Sequence, residues 1–207
     1  MLNVQPGETE PQESTLLNVG GGIKGVTGRE LVLEFHAMDI NRNTRTSGDD
    51  EIMAVMTPVS VAGHQETLYC NSKYFIDGRY AITCPAATQS GSFLLDVDLM
   101  IDSATKPIKS SPFRVTIFPG HAIPETTQVV PGGSAGQTFI QTTVKFTSKA
   151  RQWATFVVRS HDRFKNPLNA GGDHFVARVH GNTDIVSSEK RVEVIDQMGA
   201  SRVFLLL

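Results

Sequence analysis

Asp162, Asn166, Gly171 and Asp173 recur, at the same spacing, as Asp39, Asn43, Gly48 and Asp50. The chain therefore repeats itself, and each copy must solve the same folding problem. Upstream of each set lies an alternating apolar run, Leu31-Val-Leu-Glu-Phe-His-Ala-Met38 in one copy and Ala154-Thr-Phe-Val-Val-Arg-Ser-His161 in the other. Downstream, Ile52, Ala54 and Met56 alternate with Met53 and Val55, and Phe175, Ala177 and Val179 alternate with Val176, Arg178 and His180. A period of two is the signature of a strand with one buried face. Asp and Asn fold their side chains onto nearby amides and glycine reaches positive φ, so each copy reads as strand, polar loop, strand.

The rest of the chain extends this pattern. Strands are expected near Thr15–Val19, Leu31–Met38, Glu51–Thr57, Thr67–Asn71, Arg79–Cys84, Gly91–Leu99 and Ser111–Phe118, with a turn over Asp102–Lys109. Asp77-Gly78 is a strong hairpin signal. Short strands with turns about every ten residues, and no segment of helical period, predict an all-β sandwich. A chain of 207 residues has room for two domains of about 100 each. Residues 1–14 are polar and read as a disordered lead-in, 15–120 as a first domain and 121–207 as a second. In the second, Ala154–Val158, Phe175–Gly181, Arg191–Ile195 and Arg202–Leu207 are the expected strands. The last two strands of the first copy have no counterpart before the sequence stops, so this copy reads as a fragment or as one completed by a strand from another chain.

Charge excludes some partners. The net charge is −2 and the basic residues are scattered, which leaves no footprint for nucleic acid. No apolar run approaches the about 20 residues of a membrane span, and the N-terminus lacks a basic-then-apolar leader. The expectation is a segment without membrane contact, and there is no Asn-x-Ser/Thr glycosylation site. Cys70 and Cys84 fall on expected neighbouring strands and would stand nearly opposite each other. A cross-strand disulfide and two small buried thiols are both compatible with that placement.

Several chemical motifs match by letter without their context. Gly20-x-Gly22-x-x-Gly25 lacks the following helix that would hold a pyrophosphate. Gly132-x-Ser134-x-Gly136 lacks the α/β sheet of a nucleophile elbow, and Ser103-x-x-Lys106 and Ser187-x-x-Lys190 lack the companion motifs of penicillin-binding enzymes. His161, His174 and His180 have no acidic or thiol partner at ligand spacing, and Trp153 reads as packing. Asp39, Asn43, Asp162 and Asn166 supply too few oxygens for calcium and read as turn residues. No enzyme, cofactor, metal or small-molecule substrate is expected.

Asp39-x3-Asn43-x4-Gly48-x-Asp50, Asp77-Gly78-x-Tyr80, Gly91-x-Phe93-x-x-Asp96-Val97 and Ser111-Pro112-Phe113-x-Val115-x-Ile117-x-Pro119-Gly120 follow one another. In that order they resemble the filamin-type immunoglobulin-like repeat. The second copy resembles its opening half, through Asp162, Asn166, Gly171-Gly172-Asp173, Phe175, Val192 and Val194. It departs from it at Gly199-Ala-Ser-Arg202, where Asp-Gly-x-Tyr is the pattern. The resemblance implies tandem immunoglobulin-like sandwiches serving as a cytoplasmic scaffold linked to the actin cytoskeleton. Partner proteins would add an extended segment beside the third strand, in the groove toward the fourth. The matching positions are Ile52, Met53, Ala54, Val55 and Met56 with Leu68 and Tyr69, and Phe175, Val176, Ala177, Arg178 and Val179 in the second copy. The alternative it implies is an adhesion rod of a cell-surface protein, of the gamete-attachment kind, in which Cys70 and Cys84 would be bonded.

Overall fold

Phe93, Leu95, Val97 and Leu99, the clearest alternating run of the sequence, lie at the centre of the core in the computed structural model, each at most 2% exposed. The structure describes residues 5–59, 66–131, 153–171, 192–197 and 200–206. The chain divides into two units, Met1–Phe118 and Pro119–Leu207.

The strands of unit 1 are β1 (Thr15–Leu16), β2 (Ile23–Val26), β3 (Leu31–His36), β4 (Glu51–Pro58), β5 (Leu68–Ile76), β6 (Arg79–Cys84), β7 (Gly91–Ile101), β8 (Ala104–Pro107) and β9 (Phe113–Phe118). They form one hydrogen-bonded path, β1-β3-β6-β5-β4-β7-β9-β2, with β8 beside β7. The path folds over at β5, which pairs with β6 through Asn71–Ile76 and with β4 through Leu68–Cys70. Two layers result, and their inner faces share one core. Phe35, Tyr80, Ile82 and Cys84 come from one layer, and Ile52, Met56, Phe93, Leu95 and Val115 from the other. Each large apolar side chain buried there contributes about 1.5–3 kcal/mol relative to exposure, which is what holds the layers face to face.

Local chemistry explains the corners. Asp77 and Gly78 have φ of 47° and 66°, the two positive angles that a tight hairpin of primed type requires, and they join β5 to β6. Ser111 Oγ accepts the Val97 N–H at 2.9 Å, where β7 passes from pairing with β9 to pairing with β8. This gives the Ser-Pro-Phe sequence a job: the hydroxyl serves an amide that neither strand reaches.

Four expectations need correction. Residues 5–14 are packed, not disordered: Thr9 and Ser14 are buried, and Glu10 donates to Met38 O at 2.7 Å. Polar side chains and backbone groups anchor this segment, so its low hydrophobicity misled. Ile23–Val26, which lies between the expected strands Thr15–Val19 and Leu31–Met38, is a strand parallel to β9. Within the expected turn over Asp102–Lys109, Ala104–Pro107 pairs with β7 as β8. The fourth strand is longer than Thr67–Asn71, continuing to Ile76.

The described strands of unit 2 are β10 (Gln128–Pro131), β11 (Trp153–Arg159), β12 (Val192–Gln197) and β13 (Ala200–Leu206), in the order β10-β11-β13-β12. This is the β1-β3-β6-β5 layer over again, with Gln128 opposite Arg159 as Thr15 is opposite His36. The unit starts at Pro119, two residues before the expected boundary, so Pro119-Gly120 opens it as Pro6-Gly7 opens the packed part of unit 1. The expected strand Phe175–Gly181, with its positions Phe175, Val176, Ala177, Arg178 and Val179, lies outside the described residues. So do His174, Gly132-x-Ser134-x-Gly136 and Ser187-x-x-Lys190.

Candidate partner-binding edge

Residues of β4 alternate as their sequence predicts. Ile52, Ala54 and Met56 point inward and are 6%, 4% and 0% exposed, while Met53 is 41% exposed and Val55 half-buried. On one side β4 pairs with β7 along its whole length, placing Met53 opposite Asp98 and Val55 opposite Asp96. On its other side it meets β5 at Ala54–Met56, opposite Cys70, Tyr69 and Leu68 respectively. The backbone of Ala54–Met56 is thus flanked on both sides. Glu51–Met53 has no ladder partner on β5, although Ile52 O accepts the Ser72 hydroxyl at 3.4 Å. A segment adding at Glu51–Met53 would find an open margin; at Ala54–Met56 it would have to displace Leu68–Cys70.

The outer surface here is mixed. Tyr69 is 71% exposed beside Val55, and Asp96 and Asp98 follow each other on the same face of β7. Burial, reinforced by the Asp96 charge, raises the Asp98 carboxyl above its ordinary value. At the far end of β5, Phe75 and Ile76 are exposed. The edge thus offers backbone groups flanked by apolar and acidic side chains.

Cys70 and Cys84 face each other across β5 and β6, one step beyond the pair Asn71 and Thr83. They are joined as a disulfide, with S–S 2.02 Å and Cα–Cα 4.1 Å. Cys84 is fully buried and Cys70 is half-buried. The bond sits where β5 leaves one layer for the other.

A second cluster, absent from the expected site, organises the loop that leads into β4. Asp50 accepts hydrogen bonds from the Tyr80 hydroxyl at 2.7 Å and from Thr9 Oγ1, and its own N–H donates to Tyr80 Oη at 3.1 Å. Burial, followed by the hydrogen bond to Asp50, raises the Tyr80 phenol above its ordinary value. Arg45 donates to Gly7 O, to Ser47 Oγ at 2.8 Å and to Asp49 Oδ1 at 2.9 Å. Gly48 lies against the Tyr74 ring, where a Cβ would overlap the ring carbons. Gly7, Thr9 and Arg45 escaped the sequence reading. The recurrence of Pro6-Gly7 as Pro119-Gly120 was the available signal.

Among the described residues no group of three or more His, Cys, Asp or Glu is placed to hold a metal. His161 Nδ1 lies 3.0 Å from Arg159 O, and His180 is outside the described residues. The recess between Leu17, Val19, Leu33 and Phe75 has no serine, cysteine or histidine in its lining. Among the described residues no helix is long and apolar enough to cross a membrane.

No protein-family model matches the sequence, and no curated protein matches it. Solved structures do. The chain is similar to FdeC, an Escherichia coli adhesin, with a TM-score of 0.63 at 15% identity over 99% of this chain and 58% of that one. It is also similar to the Lin-41 filamin domain, with a TM-score of 0.42 at 17% identity over 53% of this chain and 95% of the other. With the Yersinia pseudotuberculosis adhesin InvE the TM-score is 0.42 at 14% identity, over 96% of this chain and 52% of that one. The chain thus spans little more than half the length of the adhesin chains it matches. With the layered strand order, the match to FdeC shows the fold: an all-β chain of immunoglobulin-like β-sandwich architecture.

Proposed function

We propose that this chain is a non-enzymatic segment of a cell-surface adhesion protein, built from tandem immunoglobulin-like modules of filamin type that space and present a protein-binding margin. The observation that carries the reading is the Cys70–Cys84 disulfide, set where β5 passes between layers. Such bonds persist in oxidising compartments and are rare in the cytosol. The fold likeness to an adhesin supports the same direction. The partner is a protein that contributes an extended segment, recognised by backbone pairing along β4 and by Met53, Val55 and Tyr69 beside it. The actin-cytoskeleton reading rests on the sequence resemblance alone.

Mass spectrometry of native protein, alkylated with and without prior reduction, tests the proposal together with antibody labelling of intact cells. Blocked thiols that alkylate only after reduction, and labelling without permeabilisation, are the expected results. Two free thiols and no surface labelling would return the chain to the cytoskeletal reading.

A further inference from the structure

We propose that the Cys70–Cys84 disulfide is a latch that keeps Leu68–Cys70 laid over the Ala54–Met56 edge of β4, and that reduction by a dithiol uncovers this edge. The inference rests on the reading of β4 as a partner-binding strand.

The argument is one of register. Leu68–Cys70 pairs with β4, whereas the ladder between β5 and β6 begins at Asn71 opposite Thr83. The cover is therefore a short pairing whose tie to β6 at its own level is the disulfide. Its packing is partial: Tyr69 is 71% exposed, and Leu68 and Cys70 are half-buried against the rim of the core. Cys84 is the fixed end. It is fully buried, and Leu31 of β3 stands opposite it. While the bond is intact, lifting Leu68–Cys70 off β4 pulls on Cys84 and so on the core. Once it is broken, the cover can open without disturbing β6.

The chemistry is ordinary thiol–disulfide exchange. One thiolate of the dithiol attacks Sγ of Cys70, the less buried of the two residues, and the S–S electron pair leaves with Cys84 as its thiolate. The second thiol of the reagent then attacks the mixed disulfide. Cys70 departs as a thiolate, both cysteines take up protons, and the dithiol leaves as its cyclic disulfide. Two electrons have moved from reagent to protein. The segment that fits the vacated edge resembles the one it replaces, with modest apolar side chains at the Leu68 and Cys70 positions and a larger one outward beside Val55.

Amide hydrogen exchange on the intact chain, oxidised or held in dithiothreitol, tests the latch. Reduction should speed exchange in 54–56 and 68–70 by about tenfold or more beyond the acceleration that the β7–β9 and β3–β6 pairs show from the loss of global stability. The Cys70→Ser/Cys84→Ser variant should show the same pattern without reagent. Exchange at the edge that is unchanged, or that accelerates no more than in the β7–β9 and β3–β6 pairs, overturns the proposal. The readout is exposure of the edge and not adhesion, so failure here leaves the cell-surface reading to its own labelling test.

Discussion

The carboxylate of Asp162 accepts the backbone N–H of Gly120 at 3.0 Å, and that of Asp39 accepts the N–H of Gly7 at the same distance. The partners are 42 residues apart in one unit and 32 in the other, yet the arrangement is the same. Asp39 also accepts the amides of Asn41 and Asn43 and the Asn43 side chain; Asp162 accepts those of Phe164 and Asn166 and the Asn166 side chain. Both carboxylates are buried, at 2% and 1% exposure. Each closes its own loop and anchors the start of its own repeat. That dual demand explains why Asp, and not merely a turn former, stands at this position.

The clamp should be visible in acid. Hydrogen bonds from the Asn43 side chain and then the Gly7 amide hold the Asp39 carboxyl at about 2, against the partial opposition of desolvation. A folded pKa below the unfolded value of about 3.9 stabilises above that value and loses the contribution as pH falls through the folded one. Calorimetry from pH 5 down to about 2 should therefore show a steeper fall in the melting temperature for the wild type than for Asp39→Asn. Equal slopes would remove the clamp from the account of acid stability.

Reduction of the disulfide should weaken unit 1. Cys70 and Cys84 are 14 residues apart, and closing a loop of that size lowers the entropy of the unfolded chain by an amount worth about 3 kcal/mol. Denaturant titration of oxidised and reduced protein reads the difference directly. A midpoint that does not move would mean that native packing alone fixes this corner.

Gly48→Ala should destabilise by about 1–3 kcal/mol, because the added methyl must push the Tyr74 ring off the loop. The Tyr74 hydroxyl donates to Thr46 O at 3.3 Å, so the ring cannot swing away without losing that bond. In the Tyr74→Ala background the same substitution should cost far less, and a double-mutant cycle gives the coupling. Additive effects would show that the strain lies elsewhere.

Tyr80→Phe should cost about 1.5–3 kcal/mol, the range for a hydrogen bond to a charged group, with Asp50 left short of a donor. The phenol should also resist ionisation. With its folded pKa raised, the contribution is fully present below about pH 10 and fades as pH climbs beyond. Phenolate absorbance followed through alkaline titration should show one tyrosine ionising late, and that late step should vanish in Tyr80→Phe.

Much of this was legible beforehand because strand periodicity is a local property. The alternation of Phe93 to Leu99 specified a half-buried strand, and Asp77-Gly78 specified a tight turn, without reference to the rest of the molecule. The turn brought Cys70 and Cys84 nearly opposite each other, but by itself it would set Cys84 against Asn71; the register shift between Tyr74 and Ile76 is what places Cys70 there. The packed segment 5–14 was not legible. Its hydrogen bonds run to Asp39, Met38 and Asp50, and no local pattern announces acceptors so distant in sequence. β2 and β8 escaped for the same reason: each is a short strand that exists only because a neighbour, β9 or β7, presents unpaired backbone to it.

By itself the sequence determined that each unit is built of half-buried strands joined by Asx-stabilised loops, because side-chain period and turn chemistry act over a few residues. The tertiary structure decided which margins remain open. Whether Ala54–Met56 is a free edge depends on where β5 crosses from one layer to the other, and that crossing is set by packing against a shared core.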